Sequence, residues 1–190
     1  RLRLKLDLPL NDTSRTRTSG EFQFANNTLV LDARVPPITA ATGRIAFTED
    51  SLSIAELRGF LFGGPVAVSG GSRAGVPLNV TARGRGTVDG FGALFDHPWR
   101  KRLSGGAAYV ATVSSLEGRI RTTFESTLEG VASALPEPLA KLPAVALPLR
   151  VDVVPGEGRE RVMVMLGPQT GRVVAAEFLR TAAPGGALQT

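Results

Sequence analysis

His97 is the only histidine in the chain, and histidine is the side chain best suited to acid–base chemistry at neutral pH. A general base or a zinc site needs a second histidine or a carboxylate at a fixed spacing. Asp96 is adjacent, but neighbouring side chains of an extended segment point in opposite directions. We therefore predict that His97 is an ordinary loop residue at the mouth of a turn.

The glycine-rich segment 84–90, with the sequence GRGTVDG, invites comparison with the dinucleotide-binding fingerprint. Its third glycine comes one position too late, and the chain lacks the alternating βαβ pattern that gives the fingerprint its meaning. We interpret these glycines as the end of a strand that leads into a helix.

The remaining candidates for catalysis are equally isolated. Ser104, Ser114 and Ser115 lie in no nucleophile-elbow context, and Glu157 and Glu160 lie in a turn rich in glycine and arginine. The chain contains no cysteine, which excludes disulfides and cysteine-based metal sites. The sequence therefore predicts neither an enzyme nor a cofactor or metal site.

The net charge of +5 comes from 22 Lys and Arg against 17 Asp and Glu. Such a balance can indicate nucleic acid or anionic lipid as a partner. The arginines are spread singly, however, and only Arg100-Lys101-Arg102 forms a cluster. A nucleic-acid site needs a compact basic stripe with stacking aromatic residues, so we predict no nucleic-acid partner.

The segment 1–10 has leucine at every even position and charged residues at the odd positions through Asp7. Alternation with a period of two places all these leucines on one face of an extended strand. Similar short runs recur, separated by turns rich in the 22 glycines and 13 prolines. This pattern predicts ten to twelve antiparallel strands with one polar and one apolar face.

Individual elements follow from the same patterns. Residues 43–48 and 51–57 form a hairpin around a turn at 49–50, and Asn26-Asn27 forms a turn from which 29–31 runs back. A short helix capped by Thr87 is expected to extend to Phe95, and a helical turn is expected between Gly130 and Lys141.

The 190 residues, 43% of them hydrophobic, suffice for one domain, which we place at residues 1–183 with a flexible tail at 184–190. No apolar run of about 18 residues is present. Arg1 is not an initiator methionine and no signal pattern opens the chain, so we interpret it as a piece of a longer or processed protein. A sandwich or closed barrel would hide the apolar face, whereas an open, curved sheet would leave a groove; periodicity does not separate these alternatives.

Four motifs occur in a characteristic order. They are GRIAFTEDSL at 43–52, LFGGPVAVS at 61–69, LSGGAAY at 103–109, and a final block that combines STLEG at 126–130, LPEPLAK at 135–141 and PLRV at 148–151. Together they resemble the YhdP-type proteins of the AsmA-like superfamily. The final block, with its proline bracket, is the most specific of the four.

The resemblance implies an all-β fold with one or two short helices, in which a strongly curved, open antiparallel sheet forms a β-groove. It also implies a periplasmic segment of a bridge-like lipid carrier that is anchored in the inner membrane of a Gram-negative bacterium and moves phospholipid towards the outer membrane. The implied partners are phospholipid acyl chains and the neighbouring β-repeats of a longer chain. Open sheet edges also predict edge-to-edge self-association.

The candidate lining residues of this groove are the large apolar side chains of the alternating runs. They are Leu2, Leu4, Leu6, Leu8, Phe22, Phe24, Leu29, Leu31, Ile45, Phe47, Leu52, Ile54, Ile120, Phe124 and Leu128. The alternative for each is ordinary core packing, and the alternative for the whole segment is a scaffold module that holds no lipid. A third class, polysaccharide or nucleic-acid binding on the basic face, predicts salt-sensitive retention on polyanions.

Overall fold

The chain folds into antiparallel β-structure, which we describe from a computed structural model for residues 1–7, 17–31, 35–94, 97–116, 118–156, 159–168 and 170–181. The strands are β1 (Leu2–Asp7), β2 (Arg17–Leu29), β3 (Ile38–Thr48), β4 (Leu52–Leu61), β5 (Gly64–Arg73), β6 (Val76–Thr87), β7 (Leu103–Leu116), β8 (Arg119–Ser126), β9 (Val131–Ser133), β10 (Leu149–Pro155), β11 (Arg159–Leu166) and β12 (Val174–Thr181). Two short 3₁₀ helices, Gly90–Ala93 and Pro98–Arg102, lie between β6 and β7.

The strands follow one another across the sheet in chain order, except that β10 pairs with β8 and the short β9 pairs with β7. Within the described part of the chain, β1 pairs only with β2 and β12 only with β11, so the sheet does not close on itself. The prediction of an open, antiparallel, all-β sheet is confirmed. The alternative of a closed barrel, which the hydrophobic periodicity did not exclude, is wrong.

The sheet bends, and side chains of separated strands meet over one of its faces, which we call the inner face. The Phe62 ring, in the turn between β4 and β5, lies 5.7 Å from the Tyr109 ring on β7, measured between centroids. The aromatic rings of the β4–β5 turn and of β7 therefore meet over this face, although β5 and β6 lie between β4 and β7 in the strand order. Register shifts in the β2–β3, β3–β4, β4–β5 and β5–β6 pairs supply the bends, because a bulge kinks its strand and increases the local twist.

The two ends of the strands differ. Consecutive antiparallel strands place alternate connections at the same end. One end, which we call the short-turn end, carries tight connections such as 49–51 and 74–75. The other, the long-loop end, carries the connections that contain the 3₁₀ helices and β9.

The buried core lies on the inner face, towards the long-loop end. It comprises Ile38, Ala41, Ile54, Leu57, Leu61, Phe62, Val66, Val68 and Tyr109. These side chains come from β3, β4, β5 and β7 and the β4–β5 turn, so curvature and the long loops together cover this half of the inner face.

The helix predicted between Thr87 and Phe95 is wrong in type and length. Only Gly90–Ala93 is helical, as a single 3₁₀ turn, although Thr87 does accept a hydrogen bond from the Gly90 backbone N–H at 2.9 Å. The low helix propensity of Gly90 and Gly92 accounts for the short element. Phe95 and Asp96 lie outside the described residues.

The turn predicted at Asn26-Asn27 is also wrong, since β2 continues through both residues to Leu29. Asn26 has a φ of 64°, and the Asn27 side chain accepts a hydrogen bond from the Ala25 backbone N–H at 2.9 Å. Asparagine tolerates this left-handed conformation, so the pair forms an irregularity within the strand.

The helical turn predicted between Gly130 and Lys141 is absent, because Val131–Ser133 pairs as β9 with the start of β7. The proline bracket at 135–139 forms a turn that the Leu139 N–H closes on the Pro136 carbonyl at 3.0 Å, and the Glu137–Pro138 peptide bond is cis. The Lys141 ammonium group donates to the Leu128 carbonyl at 2.9 Å. The bracket thus folds back onto β9.

Candidate functional site

A continuous row of side chains crosses the inner face from one edge of the sheet to the other. Residues paired directly across antiparallel strands share a face, so the pairing registers identify the row without ambiguity. From edge to edge it runs Leu2, Phe22, Ile45, Ile54, Gly70, Val80, Val113, Thr122, Val153, Val162 and Phe178. We call it the apolar row; its ten spacings of about 4.8 Å give a path of about 48 Å along the sheet.

The apolar row is buried at Ile54, partly accessible along its central strands and open towards both edges. Ile54 is 9% exposed, whereas Leu2 is 51% and Phe178 56% exposed. Val80, Val113, Val153 and Val162 are half-buried. Large apolar side chains left this accessible along one contiguous face are typical of a surface that binds an apolar partner.

Most of the predicted lining residues lie on this inner face. Leu4 and Leu6 pair with Gly20 and Thr18, Phe47 also pairs with Gly20, and Leu52 pairs with Phe47. The Phe22 ring lies 6.1 Å from both the Phe24 and Phe47 rings. Ile120 pairs with Ser115 on the Val113 side of β7 and remains largely exposed.

Phe124 also lies on the inner face, two residues from Thr122 of the apolar row. Leu29 and Phe124, like Phe24, Ile45 and Leu52, are partly buried and pack against the core. Leu31 follows β2 and is exposed, and Leu128 follows β8 in a left-handed conformation. Leu8 lies outside the described residues. A role in ligand contact stays a prediction for all of them.

Sequence reasoning missed an aromatic cluster that covers the inner face at the long-loop end of the central strands. The Phe91 ring, from the first 3₁₀ helix, stacks on Phe62 at 4.3 Å and meets Tyr109 at 5.8 Å and Phe124 at 5.5 Å. Gly86 is required beneath it, since a Cβ there would lie 2.4 Å from the Phe91 ring. In the sequence, only the glycine at position 86 could have indicated that a large side chain packs closely against β6.

The Tyr109 hydroxyl lies in this cluster without a hydrogen-bond partner among the described residues. Tyr109 is 3% exposed, and burial raises the pKa of its phenol to about 12. A buried hydroxyl that makes no hydrogen bond is destabilising by about 1–3 kcal/mol.

We expect the free energy of unfolding of Tyr109→Phe at pH 8 to equal that of the wild type or to exceed it by up to about 1 kcal/mol. The variant should therefore unfold at an equal or higher urea concentration. The raised pKa also means that the unfolded chain releases the phenolic proton first. The wild type therefore keeps its full stability below pH 10 and loses up to about 2 kcal/mol as the pH rises towards 12.

Urea titrations of both proteins at pH 8 and pH 11 test this expectation, because the phenylalanine variant retains every other titrating group. A stability difference between the two proteins that stays constant from pH 8 to pH 11 would contradict the burial of the hydroxyl.

The opposite, outer face carries several ion pairs, although Phe60 and Leu179 are also exposed there. Arg44 contacts Glu21 at 3.5 Å and Arg161 contacts Glu177 at 3.1 Å. The Arg150 guanidinium donates to the buried Asp152 carboxylate at 2.7 Å, and this hydrogen bond is the main reason that the pKa of Asp152 falls below its usual range. Asp152 therefore remains ionised and is held in place by Arg150. We interpret this ion pair as a contribution to the stability of the sheet.

No metal or nucleophile chemistry is assembled in the described ranges. They contain no group of three or more His, Asp or Glu side chains that could hold a metal ion. The His97 Nδ1 atom accepts a hydrogen bond from the Trp99 backbone N–H at 3.4 Å at the start of the second 3₁₀ helix, as expected for a loop histidine. In the same ranges, no helix has the length and apolar character needed to cross a membrane.

The comparison with protein families gives one match. A family model described as "YhdP protein" matches residues 1–189, which is nearly the whole chain. The searches of curated proteins and of solved structures found no significant match.

Proposed function

The chain belongs to the YhdP family, and from this premise we propose that it is a non-enzymatic segment that holds and conducts lipid acyl chains along its inner face. Membership implies an AsmA-like envelope protein. We further propose that the segment lies in the periplasm, as part of a protein anchored in the inner membrane of a Gram-negative bacterium. Its role there is phospholipid transport towards the outer membrane.

The observation that carries this proposal is the apolar row, which is about 48 Å long, is broken only at Gly70 and Thr122, and is open towards both edges of the sheet. The hydrocarbon core of a bilayer holds two acyl layers in about 30 Å, so the row exceeds the length of a single acyl chain. A lipid tail on the row would cover the exposed Leu2, Phe22 and Phe178 side chains while its head group stays in water.

An apolar face lowers the free-energy cost of moving a lipid tail between membranes. Moving a sixteen-carbon chain through water costs about 12 kcal/mol at about 0.8 kcal/mol per methylene. A continuous apolar face removes most of this cost at every point of the path. Transport along such a face therefore needs no specific pocket and no catalytic residue.

A scaffold module without lipid is the second candidate, and the aromatic cluster favours it. Phe91, Phe62, Tyr109 and Phe124 already cover the central strands, so protein side chains alone bury part of the face. A scaffold would use the exposed ends of the row to contact neighbouring β-repeats or a second copy.

Photo-crosslinking in cells separates the two candidates. We expect a photoreactive residue at Phe22 or Ile120, on the inner face, to form phospholipid adducts that are detected by mass spectrometry. The matched controls are Gln23 and Arg121, the next residues along the same strands, whose side chains point to the outer face. Equal labelling at inner and outer positions, or no phospholipid in organic extracts of the purified chain, would contradict lipid binding.

A further inference from the structure

Exposed apolar side chains gather on the loops of the long-loop end, outside the strands that form the apolar row. Leu94 and Trp99 lie in the β6–β7 connection, and Leu142 and Val145 lie in the connection that leads to β10. Leu142 is 72%, Val145 50% and Trp99 36% exposed. Surface connections are usually polar, so a group of exposed, large apolar residues there is typical of an interaction surface.

Backbone contacts bring these two connections together. Leu103 at the start of β7 pairs with Ser133 of β9, which in turn forms a bridge with Lys141. The Ala134 N–H donates to the Arg102 carbonyl at 2.8 Å. Two strand spacings, or about 10 Å, therefore separate the end of the second 3₁₀ helix from Leu142.

Positive charge accompanies the apolar residues. The second 3₁₀ helix ends in Arg100, Lys101 and Arg102. Arg100 is half-buried and its guanidinium packs over Gly92, whereas Lys101 and Arg102 are exposed. Within the described residues, no carboxylate lies at ion-pair distance from either exposed side chain.

From this juxtaposition we propose that Leu94, Trp99, Lys101, Arg102, Leu142 and Val145, the loop-end patch, dock onto an anionic lipid bilayer surface. Tryptophan and leucine partition into the interface between head groups and acyl chains, and adjacent basic side chains are attracted to anionic head groups. The patch lies at the ends of the strands and is separate from the apolar row. Docking there would hold the long-loop end of the sheet against the bilayer.

The chain contains one tryptophan, so its fluorescence reports on the patch alone. Mixed with vesicles of phosphatidylcholine and phosphatidylglycerol, the purified chain should show a blue shift of Trp99 emission and quenching by brominated acyl chains. Vesicles of phosphatidylcholine alone should give little change. Lipid that binds only on the inner face would leave Trp99 unquenched, so this readout is distinct from the test of the proposed function.

Two variants and one control complete the test. Lys101→Gln with Arg102→Gln should weaken binding to the anionic vesicles about 30-fold, as expected for the loss of two interfacial charges. Leu142→Ser with Val145→Ser should also weaken it at least about tenfold. The control, Arg73→Gln with Arg119→Gln, removes the same charge from exposed positions at the short-turn end and should bind like the wild type.

Equal losses in the control and in the Lys101/Arg102 variant would overturn the proposal, because binding would then depend on net charge alone. Absence of binding to anionic vesicles by the folded wild type would overturn it as well. An acidic protein partner is the outcome indicated if Trp99 responds to polyglutamate and not to vesicles. Phospholipid in organic extracts of the Lys101/Arg102 variant should match the wild type, because its inner face is intact.

Discussion

Phe62→Ala is expected to lower the free energy of unfolding by about 4 kcal/mol. Phe62 is buried, stacks on Phe91 at 4.3 Å and meets Tyr109 edge-on at 5.7 Å. Truncation would leave a cavity between the β4–β5 turn and the first 3₁₀ helix, and the Phe91 ring would lose its closest partner. Equilibrium unfolding in urea, followed by circular dichroism, measures the change.

The backbone of Phe62 supplies a matched comparison. Phe62 and Gly63 form a two-residue turn in which both φ angles are positive, 54° and 76°. This type I′ geometry favours asparagine and glycine, so phenylalanine occupies it at a cost that ring packing offsets. Phe62→Asn should therefore be destabilising by about 0.5–1 kcal/mol less than Phe62→Ala, although both lose the ring. An alanine variant within 1 kcal/mol of the wild type would contradict the aromatic cluster as described.

Val113→Asp is expected to reduce the phospholipid that copurifies with the chain at least about tenfold. Val113 lies in the middle of the apolar row, between Val80 and Thr122. A carboxylate at this point would face any acyl chain on the row, which is unfavourable for both groups. A loss of only about 1.4 kcal/mol of binding free energy weakens the affinity for lipid tenfold. Quantitative mass spectrometry of organic extracts, normalised to protein, measures the effect.

Ser114→Asp is the control for this variant. Ser114 is the next residue on β7, lies on the outer face and pairs with Arg121, whose positive charge accommodates a carboxylate. Its lipid content should equal that of the wild type. The lipid content of Val113→Thr, which preserves the volume of the side chain, should lie between those of Val113→Asp and Ser114→Asp. If both aspartate variants lose lipid equally, the inner face is not the binding surface.

The local hairpins could be predicted from the sequence because both partners of each pair are close in the chain. Alternation in 1–7 gives the face of every leucine in β1, and the Glu49-Asp50 turn fixes the pairing of Phe47 with Leu52. Once consecutive strands pair, the apolar residues of each strand necessarily share one face. The series of registers that forms the apolar row follows from this rule.

The errors concern segments whose conformation depends on distant contacts. Val131–Ser133 forms a strand because β7 offers unpaired backbone groups at Leu103–Gly105, and nothing in the local sequence indicates this pairing. Gly90–Ala93 is held as a 3₁₀ turn beneath the β4–β5 hairpin, where Phe91 stacks on Phe62. Local propensity is a weak guide where tertiary contacts compensate for an unfavourable conformation.

The sequence by itself determined the all-β class, the two-faced strands and the membership that the YhdP motifs indicated, because hydrophobic alternation and turn chemistry are local properties. Only the tertiary structure decided which part of the apolar face is covered and which is open. That outcome depends on curvature, which arises from bulges in four strand pairs and brings Phe62, Phe91 and Tyr109 together from three separate elements. The tertiary structure also places Arg102 beside the loop that contains Leu142, which lies 40 residues later in the chain. The pairing of β7 with β9 brings these two segments together. Contacts of this kind are set by packing across the sheet, which no single stretch of sequence encodes.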